Sequence, residues 1–286
     1  MKFVSVAACC LVALMLWPVL AFGFRPLNPD DVARRSVEAA EAQFRVSNHA
    51  ELYHYTRVDN AGDAHSGRMF IIYTYSEGEV RGVFRLLPRD DFAGATLLYR
   101  QALQAGSRPQ LFLHDPAKGH SGELPTHQWW SRLGDTDWRC WLILDEDKNP
   151  WDYMAVDHIT YRGHSVNVIR ARYSDRELSS RTGVHFRRLY LDRQRSLAHA
   201  IEYLDRAGRP LTVLELLEHR QYELGGETQF RTRRLLLHNF QDNTLTTMVR
   251  QGSRFNTELP VELFFPGEIG NWDERWDREV LTILGE

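Results

Sequence analysis

The chain has 286 residues, 43% hydrophobic and 12% aromatic, with 38 acidic against 35 basic side chains and a formal net charge of -3. This apolar content excludes a disordered chain. The balanced charge argues against nucleic acid as a partner, because phosphate recognition leaves a basic footprint and here the basic residues, nearly all arginine, are scattered.

Residues 1–23 read as a secretory signal peptide: Lys2 supplies the positive start, an apolar run from Phe3 to Leu20 follows, and Ala21-Phe22-Gly23 offers small residues for cleavage. Pro18 interrupts the run and a single positive side chain precedes it, which sets it apart from a membrane anchor. Val6-Ala7-Ala8-Cys9 has the form of a lipid-attachment site. Too few residues precede Cys9 for both a charged and an apolar region, so a lipid-anchored form is not expected. Cleavage leaves residues 24–286 facing the periplasm with one thiol, Cys140, which has no partner for an internal bridge. Trp138, Trp141 and Leu142 around it point to a buried, inert cysteine.

Asn28-Pro29-Asp30-Asp31 is a helix start, with a side-chain cap, proline at the first helical position and two acids at the positive end of the dipole. The helix is expected to run to Arg45, and its weakly apolar stripe (Val32, Ser36, Ala39, Ala40, Phe44) suits it to cover a sheet or an opening. From Glu51 the period becomes alternating. Segments 51–57, 68–76 and 79–88 form a meander turned at Asp59-Asn60-Ala61-Gly62 and Ser76-Glu77-Gly78-Glu79. Segment 94–105 is a short strand or a helix, and Gln110 to His114 is a strand ended by Asp115-Pro116. Between Ala117 and Gly134 the periodicity fades around the pair Trp129-Trp130, as in a functional flap or mobile loop. Seven further strands are expected over 153–161, 164–173, 184–191, 196–204, 211–222, 230–239 and 244–251, then a short helix over Asp273 to Leu284. Short strands at such regular spacing predict an antiparallel sheet curling toward a barrel, and without a linker-like boundary residues 24–286 read as one domain.

No catalytic or metal constellation emerges. His114, His120 and His127 surround the glycine-rich loop but lack helical ligand spacing, so they read as exposed loop histidines. Ser121 and Ser165 miss the full G-x-S-x-G pattern and read as turn serines. Asp90-Asp91, Asp135-Asp137 and Asp145-Glu146-Asp147 lack the grammar of a calcium loop and read as solvated turns. No phosphate-binding glycine motif signals a nucleotide, so no cofactor is expected and the chain does not read as an enzyme. What stands out is a strand apolar on both faces: Phe70 and Ile72 point one way, Met69, Ile71, Tyr73 and Tyr75 the other. One face meets covering helices, and the other meets either a second layer or a ligand.

Several segments carry a family likeness: the leading helix, Val80-Arg81-Gly82-Val83-Phe84-Arg85-Leu86-Leu87-Pro88, Gln110-Leu111-Phe112-Leu113-His114-Asp115-Pro116, and Arg132-Leu133-Gly134-Asp135-Thr136-Asp137-Trp138. Val184-His185-Phe186-Arg187-Arg188-Leu189-Tyr190-Leu191-Asp192 and the Tyr203-Leu204-Asp205-Arg206-Ala207-Gly208-Arg209 hairpin complete it. Their order resembles the outer-membrane lipoprotein-sorting (LolA-like) proteins of bacterial envelopes. The resemblance implies a mainly β fold with helices (α+β), a curved antiparallel sheet forming an incomplete barrel covered by helices and loops. It also implies a periplasmic, monomeric carrier that holds lipoprotein acyl chains or another lipid, beside an envelope transporter in some members. The alternative is a non-carrier binding or regulatory module of the same fold docking on an envelope membrane protein. On the carrier reading Phe70, Ile72, Phe84, Leu86 and Phe112 line the concave face and Trp129 and Trp130 belong to a lid, with structural core as the rival reading for each. The chain departs from the family where a short basic loop is usual, since that loop here carries Lys118, several histidines and two tryptophans.

Overall fold

In the computed structural model the described residues are 33–37, 48–76, 78–102, 107, 109–142, 151–174, 176–195, 197–224 and 226–286. The proposed signal peptide, most of the leading helix and Asp145-Glu146-Asp147 lie outside them. Among the described residues thirteen strands make one sheet. The first six are β1 (Asn48–Val58), β2 (Ala64–Ser76), β3 (Glu79–Leu86), β4 (Ala95–Ala102), β5 (Gln110–Asp115) and β6 (His120–Glu123). The second run is β7 (Trp151–Tyr161), β8 (His164–Tyr173), β9 (Phe186–Asp192), β10 (Ala198–Leu204), β11 (Pro210–Leu224), β12 (Glu227–Asn239) and β13 (Thr244–Phe255).

Within β1–β6 and within β7–β13 consecutive strands pair antiparallel, and the long-range pairing of β1 with β13 welds these two meanders into a sheet whose edges are β6 and β7. The sheet is therefore curved but unclosed. Local chemistry sets the hairpins. Arg162 (φ 49°) and Gly163 (φ 84°) form a two-residue connection with both residues left-handed, and Tyr161 stands opposite His164 across it. Of segment 94–105, ambiguous between strand and helix, Ala95–Ala102 is a strand because β3 and β5 supply partners on both sides. Within the expected flap lies a short strand, β6, on the edge of the sheet. A helix that periodicity did not reveal, Arg176–Thr182, bridges β8 and β9.

Side chains from both meanders meet on one face. Tyr55, Met69, Phe84, Leu97 and Leu113 share a core with Trp151, Ala171, Tyr203, Leu214 and Leu237, so the sheet curls around that face. Helical residues 33–37 sit on its far part, where Ala33 and Val37 pack against Ile169, Leu189 and Leu191. The opposite, convex face of β1–β5 is covered by the C-terminal helix Glu274–Leu284 and the short helix Pro266–Ile269. Asp273 caps the C-terminal helix by accepting from the backbone N–H groups of Arg275 and Trp276, and Gly285 (φ 88°) ends it. Its buried stripe, Trp276, Val280 and Leu284, recurs every fourth residue and packs on Leu52, Phe70, Ile72 and Val83. No helix among the described residues is long and apolar enough to cross a membrane.

Candidate functional site

The five residues expected on the concave face divide between the two faces. Register decides this: Ser76 stands opposite Glu79, which sets Phe84 opposite Ile71 and Phe70 opposite Arg85. Phe84 and Leu86 accordingly join Met69, Ile71 and Tyr73 in the concave core. Phe70 and Ile72 lie on the convex face beneath the C-terminal helix, with Phe112, opposite Leu98, at the edge of the same cluster. The common-face expectation fails because both faces of β2 are apolar, one for the helix and one for the concave core.

Residues 124–142 close over the concave face. Irregular backbone can be buried there because it pairs with itself: Trp141 N–H donates to Trp129 C=O (3.0 Å), Cys140 N–H to Ser131 C=O (3.0 Å) and Leu133 N–H to Trp138 C=O (2.8 Å). Leu124, Trp129, Leu133, Trp138, Cys140, Trp141 and Leu142 are all buried in the concave core. Trp129 is anchored by its Nε1–H to Leu124 C=O at 2.9 Å, while Trp130 is only half-buried and stacks on Trp141 (5.8 Å between rings, 2° apart). The pair assigned to a lid is thus split into one core residue and one rim residue. Burial pushes the Cys140 thiol up to about 12.

Polar anchors hold this plug to the sheet. Asp137, expected in a solvated turn, is buried: it accepts from Thr244 and Thr246 hydroxyls (2.9 Å for Thr246) and faces Arg57 Nε at 3.3 Å. Asp135 accepts from Tyr55 (2.8 Å) and Arg89 (2.6 Å). Arg132 and Arg139 both engage Asp242 in the β12–β13 turn, and Arg139 lies 4.9 Å over the Trp130 ring. Beside them opens a cleft of about 570 Å³ with Lys118, Trp130, Arg132, Arg139 and Asp242 in its wall, so an open, mainly cationic mouth adjoins the apolar interior.

Two details of that interior bear on ligands. The indole Nε1–H groups of Trp138 and Trp141 are buried without an acceptor, although Trp129 has one. At the β1–β13 end, Glu51 accepts from Arg250 (2.6 Å) and from Tyr53 (2.8 Å). Burial works against the Glu51 carboxylate, yet positive charge on His49, Arg250 and Arg231 and the hydrogen bond from Tyr53 hold its pKa below the usual value. Burial lowers His49 to about 4.

The remaining sequence candidates do not assemble. His114 and Ser121 face each other across β5 and β6 at 3.2 Å, in strands and not at a strand-to-helix elbow. Ser165 lies in β8, where its carbonyl accepts from Arg193 N–H. Among the described residues His114, His120 and His127 form no group with their ligand atoms gathered.

No protein-family model matches the sequence, and no curated protein matches it. Solved structures do. A DUF1329 family protein from Desulfovibrio piger superposes with a TM-score of 0.73 at 11% identity, over 85% of this chain and 99% of that one. An outer membrane lipoprotein-sorting protein domain from Vibrio parahaemolyticus gives 0.68 at 16% identity, over 83% and 99%. A LolA superfamily protein from Nitrosomonas europaea gives 0.61 at 12% identity, over 82% and 97%. The curved, unclosed antiparallel sheet wrapped around a plugged apolar face is therefore the LolA-like fold.

Proposed function

We propose that the chain is an exported periplasmic carrier that binds a lipid, in the first place lipoprotein acyl chains, on the concave face of its sheet, and that it binds its cargo without transforming it. The observation that carries this reading is the pair of buried indole N–H groups of Trp138 and Trp141, donors without acceptors inside an apolar face. Leaving such a donor unsatisfied costs about 1–3 kcal/mol, and an acyl ester or amide brings the carbonyl that would accept from it. Each methylene buried alongside adds roughly 0.8 kcal/mol, so a long chain competes with a bilayer without further directional bonds. The fold likeness to lipoprotein-sorting proteins supports the same reading. Entry requires residues 124–142, which carry both indoles, to open from the sheet so that Trp138 and Trp141 can donate to the carbonyl of the entering chain, and the cationic cleft beside Trp130 offers a place for a polar or anionic headgroup.

Native mass spectrometry of the envelope-exported protein, followed by titration with a fluorescent palmitoyl probe, tests this. Co-purified lipid and saturable binding are expected, with Phe84→Ala weakening the probe at least about tenfold and Phe112→Ala, on the other face, leaving it unchanged. Absence of saturable binding, or equal effects of the two substitutions, overturns the proposal. A second reading, a non-carrier module docking on an envelope membrane protein, is favoured by one observation: the plug already fills much of the described concave face with the chain's own tryptophans. Cross-linking to a membrane protein with no lipid bound would support it.

A further inference from the structure

We propose that His164, Asp192 and His199, with His219 as fourth ligand, form a binding site for a zinc-class divalent metal ion on the convex face of the second meander. The four residues come from four successive strands or their ends: His164 opens β8, Asp192 closes β9, His199 lies in β10 and His219 in β11. His164 lies on the same side of β8 as Val166, which pairs with Asp192 and belongs to a convex-face cluster with Val168, Tyr190 and Ala200. A register irregularity between Ala198 and Ala200 falls at His199. Such a bulge re-aims a side chain, and this one meets the others.

The first three ligand atoms lie within 4.8 Å of one another. His199 Nε2 is 3.3 Å and His164 Nδ1 3.9 Å from the same oxygen, Asp192 Oδ2. In a tetrahedral zinc sphere with bonds near 2.0–2.1 Å, neighbouring ligand atoms are roughly 3.4 Å apart, so a small contraction completes the triangle. His164, exposed beside the two-residue turn, can make that movement. The imidazole rings of His164 and His199 are stacked at 4.3 Å, and the His219 ring stands 5.4 Å from His199.

The surrounding hydrogen bonds are those of a ligand set held in place. Asp192 spends Oδ1 on the backbone N–H groups of Gln194 (2.8 Å) and Arg195 (2.9 Å), which fixes the carboxylate and leaves Oδ2 toward the histidines. His219 Nδ1 contacts the Thr232 hydroxyl at 3.3 Å, while its Nε2 is buried with no partner. Orienting one ring nitrogen so that the other is presented to a metal is the usual arrangement around zinc. An ordinary Asx turn accounts for Asp192 Oδ1. It does not account for two imidazoles gathered around the opposite oxygen with a third beside His199, nor for a buried acceptor-capable nitrogen of that third ring without a partner. Imidazole with a single carboxylate suits zinc, copper(II) or nickel(II) rather than calcium or magnesium. A bound ion would tie the turn of the edge hairpin β7–β8 to β9, β10 and β11.

Isothermal titration of the chelator-treated, tag-free mature protein with zinc chloride tests the site. One ion per chain is expected, with a rise in melting temperature on saturation. His164→Ala, an exposed position that leaves the fold intact, and His219→Gln each weaken binding at least about tenfold, while His127→Ala, at an exposed histidine elsewhere, leaves it unchanged. Absence of stoichiometric binding, or affinity unaffected by His164→Ala or His219→Gln in a variant with wild-type circular dichroism, overturns the proposal.

Discussion

His49 is a residue at which acidity acts directly on the fold. It is buried against Tyr73, with ring centroids 5.0 Å apart, and burial lowers its pKa from 6.5 to about 4. Above pH 6.5 the imidazole is neutral in both folded and unfolded chains and contributes nothing to pH dependence. As pH falls from 6.5 toward 4 the unfolded chain takes up a proton that the folded chain refuses, so stability drops, by roughly 3 kcal/mol at pH 4. Glu51 adds to the same trend, because a carboxylate held below its usual pKa loses its stabilising effect as it is protonated. Urea midpoints measured between pH 7 and 4.5 should fall steadily, and His49→Gln should flatten part of that slope. An unchanged slope in the variant would mean that His49 is not the titrating group.

At the scale of elements, the C-terminal helix is joined to β3 by a buried ion pair as well as by apolar packing. Arg85 donates through Nε (3.1 Å) and Nη2 (3.0 Å) to the two oxygens of Asp277, which also accepts from Trp272 Nε1 at 2.8 Å. Removing one partner strands a buried charge, so Asp277→Ala should cost about 3–5 kcal/mol in denaturant unfolding. A loss below about 1 kcal/mol would show that solvent reaches the pair. This bridge also explains what alternation left undecided. The strands, their turns and the capped final helix were legible, as was the division of β2 into Phe70 and Ile72 on one side and Met69, Ile71 and Tyr73 on the other. Which side met the interior was not, since both are apolar and the charged Arg85 is buried under a helix from the far end of the chain. The turn at Ser76–Glu79 held the missing signal: counting back from it along both strands places Phe84 with Ile71 and apart from Phe70. Asp137 looked like a turn residue because its partners, Thr244 and Thr246, lie on the last strand. The histidines around Asp192 were hidden in the same way, since strand register and a bulge bring them together and local spacing does not.

For the whole molecule the question is whether the plug opens by itself or only when the sheet unfolds, and Cys140 reports on it. In residues 24–286 it is the one thiol, fully buried within the plug against the concave core, with a pKa pushed up to about 12, so in the closed state it is both shielded and almost entirely protonated at pH 8. Labelling by a thiol reagent must therefore pass through an open state, and its rate reads the population of that state. A plug that opens locally exposes little surface, so its labelling rate should barely change in low urea. Opening by global unfolding would rise steeply with denaturant. Asp137→Asn weakens the contacts to Thr244, Thr246 and Arg57 that hold the plug to β13 and β1. At about 1.5–3 kcal/mol for hydrogen bonds to a charged group, labelling should accelerate at least about tenfold, with far-ultraviolet circular dichroism preserved. Acyl ligand should shift the same equilibrium, because it binds the open state and not the closed one. Labelling that follows global unfolding in urea and is indifferent to Asp137→Asn would make residues 124–142 a permanent part of the core, leaving the concave face no route by which to admit a lipid.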